Sequence, residues 1–429
     1  MRRLLQSKYW IYALFLLLTY IPPAPKEIGW REAVYILLFS SAFLLWLGRG
    51  LLRGKVSLHP SLCTWAILSF LWICVWSYPV AMGNGVELKK WLRGVAPFLN
   101  LAIYFVVVDE FRKKDVEILL KVLIISAALF AYGTLMVYFV KEKLWIPKYY
   151  PGFGAYFVWR VTRIYSPSTI SYPVWGVVIC FLLSLFSRGW KRLGLFFLAL
   201  FMLLAVVVTY SRSMLLALLI GASVAVLWIT REGRWKAIRL GKGTILLFIL
   251  SLLFLLFVGL KTGTLTIAVE RIGAAVKAAF GRRSVVADYN ISSRLQEWRM
   301  GLKLFLESPF WGKGLGFPFW ILLDAGFPGY PLFKWFKVSY VHNFFLYFLT
   351  FTGILGTVPY LLLLFGGFWE FSRIWRREEI LPLSFGIILT VTVAYSLFFA
   401  EYRLNTYNLL LGATLGALVR LRKGDNGMG

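Results

Sequence analysis

The sequence predicts an all-α integral membrane protein with about twelve transmembrane helices and one large structured segment outside the membrane. Of its 429 residues, 60% are hydrophobic, and the mean hydropathy is +0.74. Apolar runs close to the ~20 residues that a bilayer-spanning helix requires recur along most of the length. These runs lack the alternation of apolar and polar residues that barrel strands show, so helices should span the membrane.

The first apolar run is expected to be the N-terminal membrane anchor, because no cleavable signal peptide is evident. The short loops that would face the cytoplasm carry about half of the 47 Lys and Arg residues. The positive-inside rule therefore places both termini in the cytoplasm and the long segment 261–341 outside. The predicted spans are 9–21, 33–48, 61–78, 94–108, 119–140, 172–187, 193–209, 213–229, 244–260, 354–372, 381–398 and 405–420.

The formal net charge of +28 comes from basic residues scattered between apolar runs, not from one soluble basic domain. This distribution argues against a nucleic-acid partner and is consistent with a protein whose main partner is the lipid bilayer. The segments expected outside hold more basic than acidic residues. An anionic partner on the outer side is therefore predicted.

Three regions follow from the predicted spans. Residues 1–260 would hold the first nine helices, with an aromatic and basic outer loop at 141–171. Residues 261–353 would form a large outer segment with amphipathic helices, since so long a connection should have structure of its own. Residues 354–429 would hold the last three helices and a short cytoplasmic tail.

Two helices are predicted within the large segment. The stretch "SSRLQEWRMGLKLFLESP" has helical periodicity, and Ser293 and Gln296 have the spacing of a capping box. The stretch "HNFFLYFLTFTG" is expected to form a short interfacial helix before the tenth span. The apolar face of the first helix would consist of Leu295, Trp298, Leu302 and Phe305.

His342 stands out in "KVSYVHNFFLY" because the chain has only two histidines and this one lies at a membrane edge. It is open at this point whether His342 caps the following helix or has a chemical role. The other histidine, His59, is expected to be a solvated residue at the cytoplasmic start of the third span.

Arginines at defined membrane levels are the second feature with chemical meaning. Arg212 occupies a three-residue turn between two long spans, and Arg294 lies at the start of the predicted amphipathic helix. Outer arginines often anchor lipid headgroups. If several converge, however, they can bind a diphosphate through bidentate hydrogen bonds without a metal.

Nucleotide and metal sites are poorly supported. Both "GKG" sequences, at Gly241 and Gly312, lack the Ser or Thr that follows Lys in a phosphate-binding loop. The outer segments contain no paired acidic motif, and the three cysteines suggest neither a disulfide framework nor a zinc site. No cofactor and no metal are expected.

Three motifs in order resemble the O-antigen ligase family and its relatives, the O-antigen polymerases and pilin oligosaccharyltransferases. They are "TYSRS", "SRLQEWRMGLKLFLESPFWGKGLG" and "VHNFFLYFLTFTGILG", all between Thr209 and Gly356. The resemblance implies a GT-C-type glycosyltransferase in the bacterial inner membrane. Its donor would be a glycan on undecaprenyl diphosphate, used at the periplasmic face without metal and with inversion of the anomeric configuration.

The resemblance also implies functional residues. The roles of an arginine in the short outer loop, an arginine in the large loop and a histidine near its end fall on Arg212, Arg294 and His342. Arg163 matches a further basic position more loosely, and its neighbour Arg160 is a second candidate for diphosphate binding. A neutral imidazole can accept a hydroxyl proton at neutral pH, so His342 is the candidate base.

The leading hypothesis is a ligase that joins the glycan to lipid A-core. The alternative is a polymerase that uses a second lipid-linked glycan as acceptor. A pilin-type enzyme is less favoured, because the chain is expected to end shortly after its last span. A transporter would carry charged residues or broken helices within its spans, whereas the predicted spans are almost free of Asp, Glu, Lys and Arg.

Overall fold

A computed structural model describes residues 6–18, 30–54, 58–140, 154–158, 161–165, 171–209, 211–231, 233, 289–324, 333–375 and 379–423. Within these residues the protein is helical, with two short β-hairpins. The helices are α1 Ser7–Leu17, α2 Trp30–Leu52, α3 Leu62–Gly83, α4 Leu88–Leu99, α5 Ile103–Glu110, α6 Lys113–Val140, α7 Ser171–Phe186, α8 Gly189–Val208, α9 Arg212–Arg231, α10 Tyr289–Glu307, α11 Phe344–Ile374, α12 Ile380–Ser396 and α13 Asn405–Lys423. The strands are β1 Gly154–Val158, β2 Val161–Tyr165, β3 Phe319–Asp324 and β4 Phe333–Val338.

Seven of the described helical segments are long and apolar enough to cross a membrane, and each coincides with a predicted span. They are Glu32–Leu52, Leu62–Gly83, Leu88–Glu110, Lys113–Met136, Gly189–Val208, Arg212–Arg231 and Phe344–Ile374. The predicted count of about twelve is not confirmed. Helices α7 and α12 are apolar but shorter, α1 and α13 are not among the candidate spans, and the predicted span 244–260 lies outside the described residues.

Helix α13 lies at the centre of the helical bundle, where every residue from Thr406 to Leu421 is buried. Two glycines permit this packing. A Cβ on Gly412 would lie 2.9 Å from the carbonyl oxygen of Leu101, and a Cβ on Gly416 would lie 2.8 Å from the Cβ of Val107. Small residues that let helix backbones approach closely are typical of helix packing in membranes.

Several chain segments meet at one end of the bundle, here called the site end and defined by Ser171, Arg212, His342 and Glu401. The Glu401 carboxylate accepts hydrogen bonds from the Ser171 Oγ at 2.7 Å and the Ser171 N–H at 3.2 Å. These bonds join the turn at 400–403, which follows α12, to the start of α7. Helices α7 and α8 form a hairpin through a turn at 187–188, so the chain returns to the site end, where α9 begins at Arg212.

Helix α10 differs from its prediction in both its start and its buried face. The capping-box interpretation was wrong, since the helix begins at Tyr289 and Ser293 lies inside it. The buried positions are Glu297, Gly301 and Leu304. Of the residues predicted to form the apolar face, Leu295 and Leu302 are exposed, with fractional exposures of 47% and 46%.

The reason for this orientation is the close contact between α10 and α11. A Cβ on Gly301 would lie 3.0 Å from Thr350 Oγ1 and 3.2 Å from a methyl carbon of Val341. The Thr350 hydroxyl also donates to the Gly301 carbonyl at 3.1 Å. The smallest residue of α10 therefore decides which face packs inward, which the periodicity of its apolar residues does not reveal.

Helix α11 contains the break that the sequence suggests. Gly353 has φ 61° and ψ −162°, so the helix divides into 344–352 and 354–374. These parts correspond to the short helix and the tenth span predicted from the sequence. The break is packed against the glycine-rich loop 312–316, whose Lys313 and Gly314 N–H groups donate to the carbonyls of Thr350 and Phe351 at 2.9 Å.

The two hairpins are features that the all-α prediction omitted. Strands β1 and β2 pair antiparallel within the 141–171 loop, and β3 and β4 pair antiparallel between α10 and α11. Alternation over five or six residues in aromatic-rich loops is too short to be distinguished from irregular structure. The β3–β4 hairpin ends at Val338, four residues before His342.

The basic C-terminal turn of α13, with Arg420, Arg422 and Lys423, lies at the opposite end from the site end. By the positive-inside rule, this basic end should be cytoplasmic and the site end periplasmic. Reporter fusions after residue 423 should therefore give a cytoplasmic signal, and fusions within 310–316 a periplasmic one. A cytoplasmic signal from the 310–316 fusions would reverse the orientation of the site end.

Candidate active site

The centre of the candidate site is a hydrogen-bonded pair that joins α10 to the start of α11. The Nδ1 atom of His342 lies 2.7 Å from Oε2 of Glu297, and the His342 backbone N–H donates to the same oxygen at 3.1 Å. The Glu297 side chain is 4% exposed and the His342 side chain 20%. A carboxylate that accepts from Nδ1–H favours the tautomer with an unprotonated Nε2.

Aromatic rings hold the imidazole on its other sides. The ring of Tyr340 meets that of His342 edge to face with centroids 5.1 Å apart, and the ring of Phe399 does so at 6.0 Å. Val341, between Tyr340 and His342 in sequence, is fully buried, and its carbonyl accepts a hydrogen bond from the Tyr402 hydroxyl. The imidazole orientation is thus set by contacts from three separate segments of the chain.

The helix-capping role that the sequence left open for His342 belongs to Asn343. The Asn343 side-chain oxygen accepts from the Leu346 N–H at 3.0 Å, and its amide group donates to the Leu397 carbonyl at 3.3 Å. Asn343 therefore satisfies one free N–H of the first turn of α11 and attaches that turn to the end of α12. His342 immediately precedes this cap and is left to bond Glu297.

A 3₁₀ turn at 400–403 brings a further set of polar residues to the site end. Its Arg403 guanidinium lies over the Tyr340 ring, 4.1 Å from the centroid. Its Tyr402 is fully buried, and the Tyr402 carbonyl accepts from the Asn408 side chain at 2.7 Å. Phe399, against His342, precedes the same turn. The turn thus contributes to the surroundings of the imidazole although it follows His342 by more than fifty residues.

The arginines predicted from the sequence lie in different parts of the protein, and the structure describes them to different extents. Arg294 lies on α10 one turn before Glu297, and Arg212 begins α9 at the site end. Arg163 is in β2 opposite Tyr156, with only its backbone described, and Arg160 lies outside the described residues. The structure therefore brings the helix of Arg294 to His342 and puts Arg212 at the same end of the bundle.

The level of Arg212 follows from the packing of α9 against α12. A Cβ on Gly221 would lie 2.6 Å from a methyl carbon of Val391, so these residues are in direct contact. The two helices run in opposite directions, because α9 begins and α12 ends at the site end. Toward the site end, Arg212 and the start of the 400–403 turn are the same number of residues from this contact. Arg212 therefore lies level with that turn.

His59 lies away from this site, before the start of α3 and beside the basic end of α13. Burial, and then the charges of Lys423, Arg422 and Arg420, lower the pKa of His59 to about 4. The expectation of a solvated histidine was only partly right, since the residue is half-buried. His59 is therefore a neutral side chain remote from His342.

Glu297, Tyr340, Arg403 and Glu401 are the site residues that sequence reasoning missed. One signal existed for Glu297, which is three positions after Arg294 and so shares its helix face. No sequence signal links the 400–403 turn to His342. Among the described residues, no three His, Cys, Asp or Glu side chains are grouped so that they could hold a metal ion.

Residues 197–361 match the family model described as O-antigen ligase. The match covers less than half of the chain and shows that this part is similar to the O-antigen ligase family. The match includes Arg212, Arg294, Glu297 and His342, whereas the 400–403 turn lies beyond it. A search of curated proteins finds no match to the chain. The match supports a function of the O-antigen ligase or polymerase type in general, and the apolar helices support a multi-pass membrane protein.

Glu401, in the 400–403 turn, is a buried carboxyl group with a testable effect on stability. It is 1% exposed, and its second oxygen makes no hydrogen bond within the described residues. Burial raises its pKa to about 7, against the opposing effect of the two Ser171 hydrogen bonds. The pKa of this carboxyl is higher in the folded state than in the unfolded state. Its protonated form therefore contributes stability that is fully present below pH ~4.5 and is lost as the pH rises through about 7.

We expect Glu401→Gln to keep the Ser171 hydrogen bonds to an uncharged side chain. The variant should match the wild type in thermal stability near pH 4.5 and exceed it increasingly above pH 6, by on the order of 3 kcal/mol at pH 8. Unfolding in detergent across pH measures this. Glu379→Gln, at an exposed glutamate 2.7 Å from Lys113, should show no such divergence. A Glu401→Gln variant that is equally destabilised at every pH would contradict the assignment.

Proposed function

We propose that this protein is an O-antigen ligase of GT-C type in the bacterial inner membrane. It transfers a glycan from undecaprenyl diphosphate to a hydroxyl group of lipid A-core at the periplasmic face, without a metal and with inversion. The observation that carries the proposal is the His342–Glu297 pair, with an Nδ1 to Oε2 distance of 2.7 Å, inside the region that matches the family. The site end would face the periplasm.

The proposed chemistry is a single displacement at the anomeric carbon. The acceptor hydroxyl oxygen forms a bond to that carbon while the bond to the diphosphate oxygen breaks, and the diphosphate leaves with the electron pair. His342 Nε2 takes the hydroxyl proton, which makes the acceptor oxygen a better nucleophile as the new bond forms. The buried Glu297 carboxylate then stabilises the resulting imidazolium and keeps the ring in one orientation.

Charge on the leaving diphosphate requires positive groups in fixed positions. Arg212 and Arg294 are proposed to supply them, with Arg163 and Arg160 as further contacts to the diphosphate. The positions of Arg212 and Arg294 on regular helices support this role, because Arg212 begins α9 and Arg294 lies within α10 one turn before Glu297. Fixed guanidinium groups can stabilise charge that develops in the transition state, as a bound magnesium ion does in many phosphate-releasing enzymes.

The acceptor separates the ligase from the polymerase alternative. A polymerase would use the same base and the same leaving group, and would differ in accepting a second lipid-linked glycan. An assay that offers purified enzyme both lipid A-core and a second lipid-linked glycan tests the choice. Product formed on lipid A-core supports the ligase, and product formed only by extension of the lipid-linked glycan supports the polymerase.

We expect His342→Asn, His342→Gln and His342→Ala each to slow transfer by about 10²–10⁴-fold, the usual range for loss of a general base. Donor binding should be largely retained, since a base acts on the transition state. Transfer by purified protein and donor binding measured in parallel check this. His59→Asn, at the opposite end of the protein, is the matched control and should keep normal transfer. Near-normal transfer by His342→Asn would leave the mechanism without its base.

We expect Arg212→Ala and Arg294→Ala to lower turnover severely, with poor rescue by Lys because an ammonium group cannot form two parallel hydrogen bonds to a phosphate. The matched controls are on the same helices. Arg231→Lys is at the far end of α9, and Arg299→Lys is on the exposed face of α10. If both Lys variants at 212 and 294 transfer as well as these controls, the two arginines supply only positive charge.

A further inference from the structure

Arg403 is held in place by a turn whose other residues are buried. Glu401 and Tyr402 have fractional exposures of 1% and 0%, and Leu404 of 4%, whereas the Arg403 side chain is partly exposed. The turn is fixed by the bond from Ser171 to Glu401, the bond from Tyr402 to Val341 and the bond from Asn408 to the Tyr402 carbonyl. The backbone of Arg403 therefore has little freedom, and its side chain projects from an ordered turn.

The Tyr340 ring connects the guanidinium of Arg403 to the candidate base His342, because it contacts both. The His342 and Tyr340 rings are 5.1 Å apart, and the Arg403 guanidinium carbon is 4.1 Å from the Tyr340 centroid. A guanidinium that lies over a ring uses its face for that contact, so its N–H donors at the edge can still form hydrogen bonds.

Arg403 differs in its contacts from several other partly buried basic residues. Four such residues are paired with carboxylates at 2.6 to 3.0 Å, namely Lys8 with Asp115, Arg49 with Glu110, Lys313 with Glu307 and Arg422 with Glu370. Within the part of the chain that the structure describes, Arg403 contacts a tyrosine ring and no carboxylate. The two nearby carboxylates, Glu297 and Glu401, bond His342 and Ser171 instead.

A positive charge with this environment suits an anionic ligand beside His342. In an inverting displacement, the attacking and leaving oxygens lie on opposite sides of the anomeric carbon. The group that takes the proton and the group that holds the diphosphate must therefore be separated by the reacting sugar. The Tyr340 ring contacts both the His342 and the Arg403 side chains, and so it keeps the two groups apart at one side of the site.

We propose that Arg403 binds phosphoryl oxygens of the lipid-linked diphosphate beside His342, with the Tyr340 ring holding its guanidinium in place. This inference rests on the proposed function and adds a binding residue outside the region that matches the family. Phosphate is also the headgroup chemistry of ordinary membrane lipids, so the test must separate the two sources.

Binding of undecaprenyl diphosphate to the full-length protein in phosphatidylcholine nanodiscs tests the proposal. We expect Arg403→Met to weaken this binding about 10- to 100-fold, the loss that corresponds to charge-assisted hydrogen bonds. Arg403→Lys should recover only part of it. Binding of phosphatidylglycerol should be unchanged in both variants. In the transfer assay, the same variants should raise the KM for the donor and leave the KM for the acceptor unchanged.

Arg373 provides a matched control, because its guanidinium carbon lies over the Trp369 ring at 5.4 Å near the other end of α11. Arg373→Met should bind undecaprenyl diphosphate as the wild type does. Thermal unfolding shows whether each variant folds. If Arg403→Met does not fold, the binding of undecaprenyl diphosphate by Arg403→Lys decides whether Arg403 belongs to the site.

Three results would overturn the assignment. Wild-type affinity in Arg403→Met, or in Arg403→Lys where the Met variant does not fold, removes Arg403 from the site and leaves the proposed function intact. Equal loss of phosphatidylglycerol binding makes Arg403 a headgroup anchor. A wild-type protein that neither binds undecaprenyl diphosphate nor transfers a glycan contradicts the proposed function itself.

Discussion

The hydrogen bond between Glu297 and His342 is the interaction on which the candidate site depends. It joins α10 to a residue close before α11, and the Glu297 side chain that it buries is 4% exposed. A buried carboxylate without such a partner would cost several kcal/mol in lost hydration. Because both the side chain and the backbone N–H of His342 bond the same oxygen, the pair fixes the position of the ring and its orientation.

The neighbouring structure makes this bond possible. Gly301 lets α10 lie against Val341 and Thr350, which turns Glu297 toward His342. The loop 312–316 passes so close to α11 that a Cβ on Gly312 would lie 2.5 Å from the Phe351 backbone. On the other side, Asn343 and Tyr402 attach the start of α11 to the end of α12 and the turn that follows it. Glycines and buried polar bonds thus position the candidate base, more than apolar periodicity does.

The sequence is informative where one physical property dominates. Long apolar runs predict the helices that the structure describes, and the turn that holds Arg212 follows from two adjacent runs. Isolated polar residues at a membrane edge single out His342 and Arg294. The partner of His342 could not be predicted, because Glu297 looks like any exposed glutamate of an amphipathic helix until Gly301 shows which face is buried. Arg403 and Glu401 were missed because only the tertiary fold brings their turn to His342.

The central claim is that Glu297 acts on transfer through His342. A double-mutant cycle tests it most directly, with transfer rates measured for the wild type, Glu297→Gln, His342→Asn and the double variant. If the two residues act as a unit, Glu297→Gln lowers the rate in the wild-type background, and the double variant is no slower than His342→Asn alone. If instead the two losses multiply in the double variant, Glu297 acts independently of the imidazole and the account of this site is wrong.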